Sequence, residues 1–217
     1  MPIRHYSDLL LRPWSESDAP ALRDAIDEDV DHLKPWLSWT LEEPATLERT
    51  RARLRDYVEQ FHAGRAFRYA ITPLDRPAVI LGGAHLNRRV GPDAHDVGYW
   101  VRRSAVRQGI AAAAVSALVV HTFEERDVER LVIQCDVDNS ASADLARALG
   151  FGFVGNDAGM YPDGRPRPLL RFELTRERFR RHHAATLRER ARRVHLATGP
   201  QWPDDPDRAE AYDRADP

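Results

Sequence analysis

Apolar positions along the chain fall into two rhythms, one of period two and one near 3.6, and the switches between them mark the elements. Residues 8–12, DLLLR, predict a short first strand. Asp18 is a fair helix N-cap and Pro20 is tolerated in the first turn, so ALRDAIDEDVDHL predicts a helix to about Leu33, where Pro35 breaks it. From Ala45 to about Ala63 a second helix is predicted, with Leu54, Val58 and Phe61 at i, i+4 and i+7. Phe67–Thr72 and Val79–Leu86 predict a strand pair around a turn at Pro73–Pro77, and His95–Val101 alternates as the next strand after a turn at Gly91–Pro92. A helix then runs from Ile110 to about Arg126. Arg130–Val137 predicts a strand and Ser140–Leu149 a short helix stopped by Gly150. Phe151–Val154 and Leu169–Leu174 predict the closing strands.

This order is neither a regular strand–helix alternation nor an all-strand pattern, so a mixed sheet with helices on both faces is the simplest packing. Residues 1–175 carry the pattern as one domain, and residues 176–217 read as a C-terminal extension. Its first part, RERFRRHHAATLRERARR, holds eight arginines. It reads as a solvated surface helix, with an RNA contact or a subunit contact, hence a homodimer, as alternatives. The Pro- and Asp-rich residues 203–217 predict disorder.

Composition narrows the classes. The chain of 217 residues is long enough for a real core, with 42% hydrophobic and 30% charged residues. A net charge of −2 gives no global basic field, so DNA is not an expected partner. Cys135 is the single cysteine, which excludes an internal disulfide and a Cys-rich zinc site, and no metal is expected. No apolar run reaches the ~18 residues of a membrane span, and the N-terminal segment lacks the apolar stretch of a signal peptide. A cytoplasmic location and no membrane partner are therefore expected. Lys34 is the single lysine among 32 basic residues, read as a coding bias of a bacterial kind.

The segment SAVRQGIAAAAVSALVVHTF raises the chemical question. A strand ending at Val101 and a helix opening at Ile110 leave backbone amides without intrahelical partners between them, and such a turn binds anions, phosphate above all. Gly109 lacks a Cβ and would let a phosphate approach the main chain; Ala111 and Ala112 keep the entrance open. Alternatively, the alanines are simply good helix formers in close helix–sheet packing. The P-loop pattern and the dinucleotide GxGxxG are both absent.

Together with NSASADLARALGF, residues 139–151, the stretch VGYWVRRSAVRQGIAAAAVSALVVHTF resembles the GNAT superfamily of N-acetyltransferases. LLLRPWSESDAPAL and HLKPWLSW are similar to its branch of ribosomal-protein N-terminal acetyltransferases. The resemblance covers about residues 8–175. It implies an α/β fold with a mixed, mostly antiparallel sheet of about 6–7 strands, flanked by helices and splayed at an acyl-CoA slot. It also implies acetyl-CoA as co-substrate and a primary amine as acceptor, on a protein N-terminus or a small molecule.

The family's diphosphate loop, Q/R-x-x-G-x-G/A, falls on Val106 to Ala111; Val106 departs at the first position, and Arg107 could supply charge instead. Cofactor contacts implied by the resemblance are Arg107, Gln108, Gly109, Ile110, Ala111 and Ala112 at the loop. Main-chain groups of Tyr99, Trp100 and Val101, together with Asn139 and Ser142, would serve the pantetheine arm. A backbone N–H near Val101 would stabilise the oxyanion. The tyrosine that many members carry seven residues after the asparagine is replaced by Ala146, so Ser142 is the expected proton donor, or else a capping serine. Asp96 is the expected base, with Asp136 and Asp138 flanking the slot. Trp36, Trp39, His85 and Tyr161 are expected to line the acceptor pocket, although His85 and the tryptophans also suit packing roles. Asp27, Glu28, Asp29, Asp31, Glu42 and Glu43 would favour a cationic amine if they faced that pocket. A non-catalytic CoA-binding sensor is the competing reading, motivated by the missing tyrosine and the altered loop.

Overall fold

The structure is a computed structural model that describes residues 8–37, 43, 45–87, 94–161 and 165–197. β1 (Leu9–Pro13), β2 (Ala66–Pro73), β3 (Gly82–Asn87) and β4 (Ala94–Val101) pair antiparallel in succession. β5 (Arg130–Asp136) runs parallel to β4, and β7 (Pro166–Thr175) and β6 (Gly152–Met160) follow antiparallel. At the opposite edge β8 (Val194–Leu196) lies parallel to β1. Among the described residues the sheet is mixed, with eight strands in the order β6-β7-β5-β4-β3-β2-β1-β8. The expected class is therefore the one that forms. The strand count exceeds the expected 6–7 because β8 is only three residues long and follows a basic helix, leaving no alternation to read.

Period-two alternation gives the sheet two different faces. Leu9, Leu11, Tyr69, Leu86, Val97, Leu131, Ile133 and Phe172 belong to the larger core, which is covered by α3 (Ile110–Glu125) and α4 (Ser140–Ala148). Ala70 and Ile80 belong to the smaller core, with Trp14, Leu22, Ile26 and Leu54 of the segment leading through α1 (Ala19–Leu33) and α2 (Leu47–His62). Each of these helices has a cause at its start. Ser15 and Asp18 form a capping box ahead of α1, and Arg12 grips the Asp18 carboxylate with two bonds of 2.7 Å. The Thr46 hydroxyl accepts from the Arg49 amide, so α2 begins at Leu47 and not at Ala45.

α3 is apolar almost all round because both its sides are covered, by the sheet and by α6 (Ala184–Ala191). Ala113, Ala114 and Ala117 are buried there, so packing accounts for the later alanines. The basic run reaches α6 through α5 (Arg176–Arg178) and a π-helical segment at Phe179–His183. It is not solvated all round: Phe179 and Leu187 are each 1% exposed against the larger core. Arg176 donates to the Phe123 carbonyl at 2.7 Å, satisfying the C-terminal end of α3, and Arg188 pairs with Glu124. Residues 203–217 and the Gly91–Pro92 turn lie outside the described residues.

Candidate active site

β4 and β5 are paired only at Ala94↔Arg130, His95↔Leu131 and Asp96↔Val132, yet β4 continues to Val101 and β5 to Asp136. Beyond Asp96 the two strands part, opening a slot in the middle of the sheet. Arg102 N donates to Leu81 O, so the alternation of the ladder spends the main chain of Trp100 on β3 and turns that of Tyr99 and Val101 toward the slot. The Val101 carbonyl lies 3.3 Å from His32 Nε2. Trp100 instead packs its ring over Gly83, against the smaller core.

On the α3/α4 face the Tyr99 hydroxyl lies 2.8 Å from Ser142 Oγ. Asn139 Oδ1 accepts from the Ser142 amide at 3.0 Å, so Asn139 caps α4 and thereby fixes the serine's place. Burial pushes the Tyr99 hydroxyl up to about 12, against the opposing bond to Ser142, so it stays protonated at neutral pH. Cys135, buried on β5, is likewise raised by burial, although its contact with Ser142 lowers it; it is a thiol and no nucleophile. Ala146 is fully buried.

At the start of α3, Arg107 and Gly109 both take left-handed conformations, with φ of 60° and 70°. The first bond of the helical ladder runs from Ala113 N to Gly109 O at 2.9 Å, so the amides of Ile110, Ala111 and Ala112 precede it. That is the chemistry of an anion site with the dipole of a long helix behind it. The structure adds a reason for Gly109: its φ of 70° is one that glycine adopts freely, and a Cβ there would face Arg193 Nη2 at 3.4 Å, an ordinary contact.

The opposite face carries a second polar group. His85 Nε2 lies 3.1 Å from Asp96 Oδ2, next to the point where the strands part. Asp136, 3% exposed, accepts from the Tyr161 hydroxyl at 2.7 Å and from Arg167 Nε at 3.3 Å, and Arg167 Nη2 donates to the Trp36 carbonyl at 2.6 Å. Burial opposes ionisation of Asp136, but bonds from the Asp138 amide, Tyr161 and Arg167 outweigh it and hold the carboxyl below its ordinary value. This clasp ties the segment after α1 to β7.

Residues 8–152 match the family model described as the acetyltransferase (GNAT) domain. The chain belongs to the GNAT acetyltransferase family. Similar proteins include the ribosomal-protein-serine acetyltransferase of Escherichia coli, 32% identical over 56% of this chain and 69% of its own. A putative ribosomal N-acetyltransferase of Bacillus subtilis, YdaF, is 26% identical over 78% of this chain and 91% of its own. Among solved structures, the ribosomal L7/L12 alpha-N-protein acetyltransferase RimL in complex with coenzyme A superposes with a TM-score of 0.70 at 28% identity, covering 80% of this chain and 97% of that one.

In this GNAT chain the residues read from the sequence divide between the two faces. Tyr99, Ser142 and Asn139 meet on one; Asp96, His85 and Tyr161 sit on the other, and Trp36 reaches it through its carbonyl. Arg107, Gln108, Gly109, Ile110, Ala111 and Ala112 form the turn and first helical turn. Trp39 and Glu42 lie outside the described residues. Four residues of the acidic run are already engaged: Asp27 and Glu43 pair with Arg23, Glu28 with Arg102, and Asp29 accepts from the Arg103 amide at 2.7 Å, while Asp31 is exposed. Sequence reasoning missed Arg167, Arg193 and the side chain of Tyr99. The sequence marks only the main chain of Tyr99; the place of its hydroxyl across the slot from Ser142 is set by the geometry of α4. Among the described residues no group of His, Cys, Asp and Glu could hold a metal, and no helix is long and apolar enough to cross a membrane.

Proposed function

We propose that this GNAT acetyltransferase moves an acetyl group from acetyl-CoA to a primary amine, and that the amine is a protein N-terminus. The slot after Asp96, with a proton donor on one face and a proton acceptor on the other, carries this reading. The relatives named for ribosomal proteins point to a polypeptide acceptor.

The residues present fit acetyl-CoA, which supplies an acyl group already activated as a thioester. The amides ahead of Ala113 would hold its diphosphate, and the main chain of Tyr99 and Val101 its pantetheine arm. An amine attacks only when neutral, and an α-amine titrates near ~8, so a fraction of it must lose a proton at the site. Asp96 takes that proton, with His85 bonded to it to share the charge. A main-chain N–H at Val101 faces the position where negative charge develops on oxygen. Ser142 donates its proton to the departing sulfur while the Tyr99 hydroxyl, which keeps its own proton at neutral pH, donates a hydrogen bond to the serine oxygen; water returns the serine's proton once the thiol leaves, as Asp96 releases the amine's proton to water. Tyr99 thus takes over at Ser142 the part lost at Ala146. The Asp136 clasp shapes the acceptor side and does not exchange protons.

The test mixes purified protein with acetyl-CoA and a panel of peptides with free or blocked N-termini, plus small amines. CoA thiol release is followed by colour and the acetylated position by mass spectrometry. Acetylation of the free α-amine of peptides is expected. CoA binding without turnover on any amine overturns the reading in favour of a sensor; turnover on small amines alone removes the polypeptide acceptor.

A further inference from the structure

We infer that Arg193, from the segment after α6, is a positioning residue for the diphosphate-binding turn; this rests on the function proposed above. The family match ends at residue 152, so nothing in it reaches Arg193. Arg193 is tied to distant parts of the chain through both its main chain and its side chain. Its carbonyl accepts from Leu9 N at 2.7 Å, where β8 begins to pair with β1, which fixes its backbone. Its Nη2 donates to the Gln108 carbonyl at 3.0 Å.

That second bond determines which way a peptide faces. In a trans peptide the C=O and the following N–H point in opposite directions. With the Gln108 oxygen held toward Arg193, the Gly109 amide is turned away from it. Gln108 sits between two left-handed residues, Arg107 at φ 60° and Gly109 at φ 70°; glycine takes that conformation freely, whereas at Arg107 it persists only where the surroundings impose it. The Gln108 side chain adds one restraint, donating to the Ser104 carbonyl at 3.2 Å; Arg193 adds the charged one. Its guanidinium also sits directly behind Gly109, close enough to meet a Cβ at 3.4 Å, and adds positive charge to a turn where the family's first loop position is Val106. A segment outside the matched domain thus completes the cofactor turn from behind.

The experiment compares the full chain with Arg193→Met and Arg193→Lys. CoA affinity is read by calorimetry, KM and kcat with acetyl-CoA, and kcat/KM with S-acetylpantetheine, a donor without the diphosphate. Arg193→Met is expected to weaken CoA binding about tenfold and to raise the acetyl-CoA KM alike, since a bond to a charged donor is lost. The kcat at saturation and the rate with S-acetylpantetheine are expected to stay within about twofold, and Arg193→Lys to recover part of the loss. Unchanged CoA affinity in Arg193→Met overturns the inference while leaving the proposed function standing. An equal loss with S-acetylpantetheine also overturns it, because the damage is then to the fold at large. Failure of the unaltered protein to bind CoA brings down the proposed function itself.

Discussion

Gly98→Ala tests the acceptor face through a single methyl group. The His85 ring lies flat over Gly98 on the neighbouring strand. A Cβ built at Gly98 would stand 2.1 Å from His85 Cε1, 2.4 Å from Nε2 and 2.9 Å from Nδ1. Ordinary carbon contact is near 3.5 Å, so the ring must retreat by about 1.4 Å or rotate off the strand. Either motion breaks its 3.1 Å bond to Asp96. The packing cost is about 1–3 kcal/mol, since β4 is a central strand with β3 and β5 on its sides. If Asp96 with His85 accepts the amine proton, kcat falls about a hundredfold, the lower end of what a positioned base contributes. The assay is thiol release at saturating acetyl-CoA and peptide over pH 6–9, with a thermal melt of each sample and His85→Ala as the companion. His85→Ala removes the ring without crowding the strand and should reproduce the kinetic loss with a smaller drop in stability. A Gly98→Ala protein that is folded, loses stability as expected and yet keeps its kcat refutes the role given to His85 and Asp96.

Three further outcomes follow from the same geometry. Ser142→Ala and Tyr99→Phe should each lower kcat by about tenfold or more with little change in CoA affinity, and the double variant should lose scarcely more than the worse single, because the two hydroxyls act as one donor. Asp136 contributes stability that is complete above its ordinary pKa near 3.8 and is lost as pH falls through its lower folded value; denaturant melts from pH 5 down to 2 should show that loss, and Asp136→Asn should flatten it. Leu118→Ala, at a fully buried position of α3, should cost about 2–5 kcal/mol in a denaturant melt and leave the kcat of the protein that remains folded unchanged.

Much of this was legible in the sequence where an element is apolar on at least one face. β2, β4, β5, α3 and α4 stand within a few residues of their sequence positions, because β5 and α3 carry dense apolar runs and β4 alternates between two faces. β6 reads poorly past Val154. It is an edge strand with one partner, and Phe153, Val154 and Met160 stay more than half exposed, so its composition follows no core. The chemistry divides in the same way. A glycine and alanines before a helix mark the anion turn locally. The pairs that finish the site join residues far apart in the chain, Tyr99 with Ser142 and Arg167 with Trp36, and no local pattern carries such a match. The acidic run reads as unpaired in the sequence because its partners are split: Arg23 lies one helical turn before Asp27, while Arg102 reaches Glu28 from far along the chain.

The parallel seam between β1 and β8 has a consequence for synthesis. Leu9 leaves the ribosome long before the strand that covers its outer edge, which is completed only at Leu196. At ordinary elongation speeds that interval is on the order of ten seconds, during which a nascent sheet already carrying β2 keeps one flank of open amides and carbonyls. Any enzyme competence that depends on that flank arrives only once Val194–Leu196 have emerged, and chains interrupted before them would carry a sticky border in place of a closed one.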